Sequence, residues 1–424
     1  MTAQTTEYKH DLTTKTNAFA NITTLLGTYS LQQLPILIQS LHKSFREHSL
    51  KSKSGRVRTQ SRKNITAKRV GFHPTSGSQV QSLKLIYLSK QSTPHPTPKA
   101  YIYERTSDSD PIPTLPKVTD MSCGKCNSLL PVIESKLHIT IPATESAIIR
   151  DKDTNAIIAV VIRDFARDYY NHIKPWAVNL INDSIDRRIL SQRNGPGKLA
   201  RVGVTDGSRN ARVFGWSRSL KKKFRKNHRS DHEHERDISA LFGLFYSLLR
   251  AQAPPEIIED LEKAMTTAGL PRLDFDKRME FPLSFMSDDP MTFYGYPLSP
   301  LEGYITRNFT KQIHVDKHWT DCPWGAYWNL KRETPTGGNG MEYGANFFIS
   351  DYGLRIVNSE NVCVIWNISL FHGTSWYYDG LEHIGIVFVL SPTTEIAWKD
   401  YKDRVKKGQI EDGFTIIRED IDDH

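Results

Sequence analysis

Hydrophobic spacing changes character at about residue 140. From Met1 to about Thr140 the chain is rich in Ser, Thr, Lys and Pro, including Ser92-Thr93-Pro94-His95-Pro96-Thr97-Pro98, and shows little sustained period. That composition predicts a polar, basic, mostly disordered region over residues 1–140. Within it, Leu, Ile and Phe recur at helical spacing from Leu25 to Phe45, enough for a short helix or a docking segment. A hairpin pattern follows, with Ala147-Ile148-Ile149, the polar turn Asp151 to Asn155 and the apolar run Ala156 to Ile162. The globular part is expected to begin here.

Phe165, Tyr169, Ile173, Trp176, Ala177, Leu180 and Ile181 fall three or four apart, which predicts an amphipathic helix between Asp164 and Leu190. Further helices are predicted from Ile238 to Ala251 and, past Pro254-Pro255, from Glu256 to Met265. Between them, Asn194 to Gly197 and the Gly- and Arg-rich segment Arg201 to Arg218 read as surface loops. After Pro300 the texture turns to short β-rich runs: Gly303 to Ile313, Gly325 to Leu330, Ala345 to Ile349, Val362 to Ile368 and Ile384 to Leu390. Short strands at this spacing with Gly-rich turns predict a sandwich or barrel braced by the helices, an α+β fold. The expected division is helical support over 141–300, a β core over 301–392 and an acidic tail over 401–424.

Composition excludes some classes. The apolar runs fall far short of the roughly 20 residues that a bilayer requires, so no membrane span is expected. Four Cys in 424 residues are too few for a disulfide framework, and the first residues lack a secretory pattern, so a reducing compartment is expected. Charge adds more. Ten basic residues against one acid lie between Lys43 and Arg69, and seven against none between Arg218 and Arg229. Lys221, Lys222, Lys223, Arg225, Lys226 and Arg229 in the second run are candidates for contact with a nucleic-acid backbone, although such a run also fits a solvated face or a nuclear import signal.

The candidate chemistry lies late in the chain. His314-Val315-Asp316 follows a strand-like segment, and residues i and i+2 of a strand share a face, so an imidazole and a carboxylate can converge. His372, at the end of an apolar strand running from Val362 to Phe371, supplies a second imidazole. Two His and one carboxylate make the facial triad of non-haem Fe(II) oxygenases, whereas a thiolate-rich set would indicate zinc. With 15 His in the chain, about one His-x-Asp is expected by chance, so context decides. Cys123-Gly124-Lys125-Cys126 has the spacing of half a zinc site, with His138 or His232 and His234 as possible completions. Asp231 to Glu235 reads as a solvated helix start.

Arg307-Asn308 before His314-Val315-Asp316, the segment Gly344-Ala345-Asn346-Phe347-Phe348-Ile349, then Tyr352-Gly353-Leu354-Arg355-Ile356 and Phe371-His372-Gly373-Thr374 together resemble the TET/JBP-type Fe(II)- and 2-oxoglutarate-dependent dioxygenases, particularly their fungal branch. The resemblance spans roughly Ala147 to Leu390, with the diagnostic motifs in its last ninety residues. It implies a double-stranded β-helix (jelly-roll) core, Fe(II) held by His314, Asp316 and His372, and oxidation of the methyl group of 5-methylcytosine or a related base in DNA, hence a nuclear location. It implies 2-oxoglutarate as cosubstrate, but His383 stands where an Arg is expected to grip the remote carboxylate. A neutral imidazole lacks the bidentate fork of a guanidinium. Lys331, Arg332 and Arg355 are alternative cations, a core histidine is the other reading of His383, and ascorbate, used by an algal relative, is the alternative electron donor. A flipped base needs flanking aromatic and polar groups. Trp319 and Trp376 are candidate pocket walls, and Asn308, Asp321 and Ser375 candidate partners for a base edge. Hydroxylation of protein or RNA, and a silent nucleic-acid-binding jelly roll, are the rival readings.

Overall fold

A computed structural model of the chain describes residues 68–71, 83–104, 129–191, 196–208, 211–217, 231–275, 283–285, 291–294, 299–316, 322–335, 343–410 and 416–417. The chain divides into two units, Met1–Lys68 and Arg69–His424, and all described residues but Lys68 belong to the second. The Leu25 to Phe45 helix, Cys123 and Cys126, the basic runs apart from Lys68 and Arg69, and the tail beyond residue 410 apart from Ile416 and Ile417 lie outside the described residues.

The strands are β1 (Lys68–Gly71), β2 (Lys84–Leu88), β3 (Tyr101–Tyr103), β4 (Leu129–Pro131), β5 (Ile139–Ile141), β6 (Ala147–Asp151), β7 (Ile157–Ile162), β8 (Lys198–Ser208), β9 (Ala211–Ser217), β10 (Leu283–Phe285), β11 (Met291–Tyr294), β12 (Glu302–Arg307), β13 (Trp324–Glu333), β14 (Phe347–Ile349), β15 (Leu354–Ile356), β16 (Val362–Asn367), β17 (His372–Thr374), β18 (Glu382–Val389) and β19 (Ile416–Ile417). The helices are α1 (Tyr170–Arg187), α2 (Asp231–Gln252), α3 (Pro255–Ala268) and α4 (Pro392–Lys406). Local chemistry sets the helix ends. Pro opens α3 and α4, where its missing N–H costs nothing; Ser391 caps α4 by accepting from the Thr394 N–H at 3.2 Å, and Gly269 closes α3 in the left-handed conformation.

Ten strands form one sheet in the order β19-β9-β8-β12-β18-β13-β16-β7-β6-β2, and four form a second, β17-β14-β15-β5. From β8 to β7 every pairing in the large sheet is antiparallel. Period-two alternation gives that sheet two apolar faces. Trp324, Ala326, Trp328, Cys363, Ile365, Ile384, Ile386 and Phe388 face the helices, packing on Ile173, Leu180, Phe242 and Phe245. The intervening Tyr327, Val364, Trp366, Val387 and Val389 face the small sheet, against Phe347, Ile349, Leu354 and Ile356. A third, smaller cluster, Ile102, Val132, Ile313 and Phe348, covers the far side of the small sheet. The order is therefore helices, large sheet, small sheet, and a layer drawn from residues before 140.

Four expectations change. Residues 83–104 and 129–141 are part of the folded body: β2 extends the large sheet beside β6, β5 extends the small one beside β15, and Ile102 is fully buried. Arg201 to Arg218 is no loop up to Ser217, because Ala200, Val202 and Val204 on β8 and Phe214 and Trp216 on β9 alternate into the helical core. The helix start at Asp231 is not solvated throughout, since His234 and Glu235 are buried. The C-terminal segment remains helical to Lys406 before the acidic stretch. Among the described residues no helix is long and apolar enough to cross a membrane.

Glu235 explains its own burial. It pairs with Arg188, both side chains wholly buried, and accepts from the Trp216 indole at 3.2 Å. Removing one partner leaves an uncompensated charge in the core. Arg188→Ala is expected to lower the urea-unfolding free energy by about 3–5 kcal/mol, and Arg188→Met with Glu235→Leu to recover most of it. A loss below about 1 kcal/mol for the single variant would show a pair no stronger than a surface one.

Candidate metal centre

Two crossings of the chain between the sheets build the site. β12 stops at Arg307 because Asn308 adopts a left-handed backbone, φ +50°, which Asn tolerates better than most residues. Its side chain holds the turn: the amide donates to the Leu381 carbonyl at 3.0 Å and accepts from the His383 N–H at 2.8 Å. The chain then reaches the small sheet, where His314 and His372 exchange both backbone hydrogen bonds, each at 2.8 Å. The second crossing is the turn between β16 and β17, where the Ile368 carbonyl accepts from the Asp316 N–H at 3.0 Å. His372 therefore opens β17 instead of ending the strand that began at Val362. Gly373 permits the close approach, since a Cβ there would lie 2.8 Å from the Gln312 carbonyl oxygen and 2.9 Å from that of Lys311.

Cross-strand partners share a face, so the two imidazoles meet, with ring centroids 4.5 Å apart. Nδ1 of His314 lies 2.7 Å from the Gln312 carbonyl, and Nδ1 of His372 lies 2.8 Å from that of Leu370. Only an N–H can bond a carbonyl, so each neutral ring carries its proton on Nδ1 and presents the Nε2 lone pair. Both lone pairs face Asp316: His314 Nε2 is 3.4 Å from one carboxylate oxygen and His372 Nε2 is 3.6 Å from the other. The three donor atoms lie within 4.8 Å of one another. Donors at right angles around one ion, with bonds of about 2.1 Å, stand about 3 Å apart, so the cage needs little adjustment to close on a metal. Burial raises the Asp316 carboxyl, but whenever Nε2 of His314 or His372 carries a proton its hydrogen bond outweighs burial and holds the group well below the usual carboxylate range, so a metal and a proton compete for the same lone pairs. Burial lowers His372, with Asp316 opposing. Neutral imidazoles and an ionised carboxylate without thiolate fit Fe(II).

The triad opens on a cavity of about 470 Å³ between the sheets. Tyr304 and Thr306 of β12, Tyr327 of β13, Val364 and Trp366 of β16, His383, Val387 and Val389 of β18, and Phe347, Lys311 and Asn358 contribute to its walls. Most of these walls escaped the sequence reading. They occupy alternate positions on strands whose register puts Tyr327 opposite both Val364 and Val387, and that alternation was the available signal.

The structure sorts the remaining expected site residues. His383 lines the cavity, buried. Burial first and the Arg332 guanidinium second push its imidazole down to about 3, opposed by a backbone hydrogen bond to Phe309. Arg332, also buried, donates to the Gly344 carbonyl at 2.8 Å. Lys331 is tied to Glu382 at 2.6 Å and Glu333 at 3.1 Å, and Arg355 to Glu134 and, at 3.5 Å, Glu104. None of these three cations lines the cavity. Ser375 bonds the buried Glu104 and the Asn346 N–H, Trp376 packs edge-on against Tyr101 at 5.6 Å, and Asn308 spends its amide on the β18 backbone. These three, expected from proximity to the ligands along the chain, do not line the cavity. Trp319, Asp321 and the six basic residues from Lys221 to Arg229 lie outside the described residues. Of the histidines named as completions of a zinc site, His234 lies 2.9 Å from the Ser184 hydroxyl, His232 packs edge-on against Phe275, and His138 donates its backbone N–H to the Gly353 carbonyl at 2.9 Å, while Cys123 and Cys126 lie outside the described residues.

No family model and no curated protein matches the chain. Among solved structures, the chain is similar to NgTET1 in complex with 5mC DNA, at 6% identity and a TM-score of 0.36, covering 63% of this chain and 88% of that one. It is also similar to HygX from Streptomyces hygroscopicus with nickel and 2-oxoglutarate bound, at 11% identity and a TM-score of 0.27, covering 54% and 81%. Likeness at these levels leaves the chemistry to the residues themselves.

The state of His383 has a measurable consequence. The folded ring resists protonation down to about 3, while an exposed ring in the unfolded chain takes a proton near 6.5. Within that window the unfolded chain binds more protons, so stability falls as pH drops, by up to about 1.4 kcal/mol per pH unit from this group. His383→Asn is expected to flatten the decline in a denaturation series across the window. An unchanged slope would mean the ring titrates as an exposed one does.

Proposed function

We propose that this chain is an Fe(II)- and 2-oxoglutarate-dependent oxygenase that oxidises the methyl group of 5-methylcytosine, or a related methylated base, in DNA, with the nucleus as its place of action. The observation that carries the oxygenase half is the donor set: two imidazole Nε2 atoms and one carboxylate converge beside a cavity between the large and small sheets. The order β12-β18-β13-β16 facing β17-β14-β15, with His314 bridged to β17, supports a double-stranded β-helix core. The DNA half is supported by the basic runs and by the motif resemblance.

When bound, iron with 2-oxoglutarate and O2 supplies oxidative decarboxylation coupled to attack on a C–H bond. The protein's share is positioning and water exclusion. His314, Asp316 and His372 would hold the ion, with the Gln312 and Leu370 carbonyls fixing the ring orientations. Val364, Val387, Val389, Phe347 and Trp366 keep the interior apolar. On the cavity wall the neutral His383, with Arg332 as its cross-strand partner, is the place for the remote carboxylate of the keto acid. A base reaches the mouth only when flipped from its duplex. An intact donor set disfavours the silent module.

Purified chain with Fe(II), 2-oxoglutarate and O2 is expected to convert 5-methylcytosine in duplex DNA to oxidised products by mass spectrometry, with succinate formed in step, while an arm with ascorbate alone gives none. His372→Ala should bind Fe(II) at least about tenfold more weakly and release no succinate. Succinate without an oxidised base would move the substrate to protein or RNA; neither product, with metal binding unaffected in His372→Ala, would reject the oxygenase.

A further inference from the structure

The walls of the cavity are of two kinds. Tyr327, Val364, Trp366, Val387 and Val389, on β13, β16 and β18, also pack against the small sheet and belong to the core there. Leu199, Tyr304 and Phe309 line the same cavity but belong to none of the three hydrophobic clusters, and each keeps part of its surface accessible. A concave wall of apolar and aromatic side chains with a few placed polar groups is the chemistry of a ligand site.

Register aims this wall at the cavity. Gly303 and Ile305 of β12 turn to the helices, where a Cβ at Gly303 would lie 2.2 Å from Phe242 Cε1 and Ile305 joins the core. Tyr304 and Thr306 therefore point the other way. Because β8 and β18 flank β12 on both sides, the Tyr304 ring can leave the strand only over the cavity face. Leu199, opposite Thr306, shares that face. Burial pushes the Tyr304 phenol up to about 12 against the pull of Arg201, and Asp316 is among the acids that add to the rise, which sets the ring within electrostatic reach of a metal ligand. Neither Tyr304 nor Phe309 contacts another aromatic ring among the described residues.

A cation completes the wall. The Lys311 N–H donates to the Thr374 hydroxyl at 2.9 Å and its carbonyl accepts from the Thr374 N–H at 3.0 Å, which pins its backbone beside residue 374, two beyond His372. Lys311 lines the cavity, is part-accessible, and has no acceptor for its ammonium among the described residues. Arg201, the register partner of Tyr304, is by contrast spent on Asp206 and Glu302. An aliphatic dicarboxylate gains little from two aromatic faces, whereas a nucleotide carries a plane for the rings and an anion for the lysine.

We propose that Leu199, Tyr304, Phe309 and Lys311 form the nucleotide subsite of this chain: the flipped methylated base lies against the Tyr304 and Phe309 rings, and Lys311 pairs with a phosphate beside it. This rests on the oxygenase reading with DNA as substrate.

The test uses full-length chain loaded with Mn(II) and 2-oxoglutarate without O2, so that nothing turns over, and measures the affinity for a 5-methylcytosine duplex by fluorescence anisotropy across a salt series. Tyr304→Ala and Phe309→Ala are each expected to weaken binding about tenfold, as loss of a base-stacking ring does. Lys311→Gln is expected to reduce the slope of log affinity against log salt by about 1. In all three variants the Mn(II) and 2-oxoglutarate affinities stay within about twofold of wild type. Both ring variants binding DNA within about twofold of wild type overturns the base contact, and an unaltered slope overturns the phosphate contact. A loss confined to 2-oxoglutarate gives the wall to the keto acid and overturns both. Should an alanine variant fail to fold, Tyr304→Leu and Phe309→Leu keep apolar volume without the ring, and Leu199→Trp fills the subsite; DNA affinity must again fall while 2-oxoglutarate affinity is retained. Failure of the underlying reading looks different: the wild-type chain then binds no metal or keto acid, or binds both and no DNA, and the proposal falls with it.

Discussion

The two backbone hydrogen bonds exchanged by His314 and His372 are the constraint on which the site depends. They set two rings on one face of the small sheet, and the carbonyls two residues upstream of each then fix the ring that remains free to turn. A cage assembled in this way needs little ordering when an ion arrives, which is the main saving in any binding site. The strands of the small sheet are too short to hold such a geometry alone: β14, β15 and β17 have three residues each. The Pro-rich segment reinforces them from outside. Lys99 donates to the Ile313 carbonyl at 2.7 Å, Ile313 donates to that of Ala100 at 3.0 Å, and Trp376 donates to that of Ile102 at 2.6 Å. One stretch of chain thereby braces the approaches to both histidines.

That bracing was invisible in the sequence, for a physical reason. A segment with no repeating apolar face has nothing to announce its burial, and residues 91–101 are held through backbone groups and a few isolated side chains such as the buried His95. Where burial follows a period, the sequence was readable. The Ala147 to Ile162 hairpin, α1, α2, α3 and the five β-rich runs after Pro300 all lie close to where spacing put them. β8 and β9 were the exception among periodic elements. Ala200, Val202 and Val204 alternate as strand residues should, but Arg201, Gly203 and Gly207 between them made the stretch read as a loop. Arg201 is in fact half-buried, paired with Asp206 and Glu302.

For the site, the ligands were legible and the walls were not. His314, Asp316 and His372 share a chemistry that two short motifs display, and no knowledge of register is needed to pair them. The walls come from β12, β13, β16 and β18, and which of their residues face inward depends on crossings and bulges that only the folded chain displays. Asn308, Ser375 and Trp376 were expected at the site from sequence proximity and do not line the cavity. Each stands close to a ligand in the sequence, yet Asn308 bonds the Leu381 carbonyl and the His383 N–H, Ser375 bonds Glu104, and Trp376 packs on Tyr101.

The irregularity in β13 shows how one inserted residue sets the electrostatics of that cavity. Up to Asn329, opposite Gly385, odd positions of β13 face the cavity; past the shift, Lys331 stands opposite Ile384 and Arg332 opposite His383. A bulge of this kind reverses which face each later residue occupies. Without it, Arg332 would lie on the face that packs against the helices, where Leu330 is buried, and Lys331 would take its place beside His383. With it, Lys331 is released to Glu382 and Glu333, and a guanidinium lies beside the imidazole. Burial and the repulsion between two adjacent cations act together, so the imidazole that lines the cavity gives up its proton and the positive charge rests on Arg332, its register partner. Asp316 brings the negative charge at the mouth.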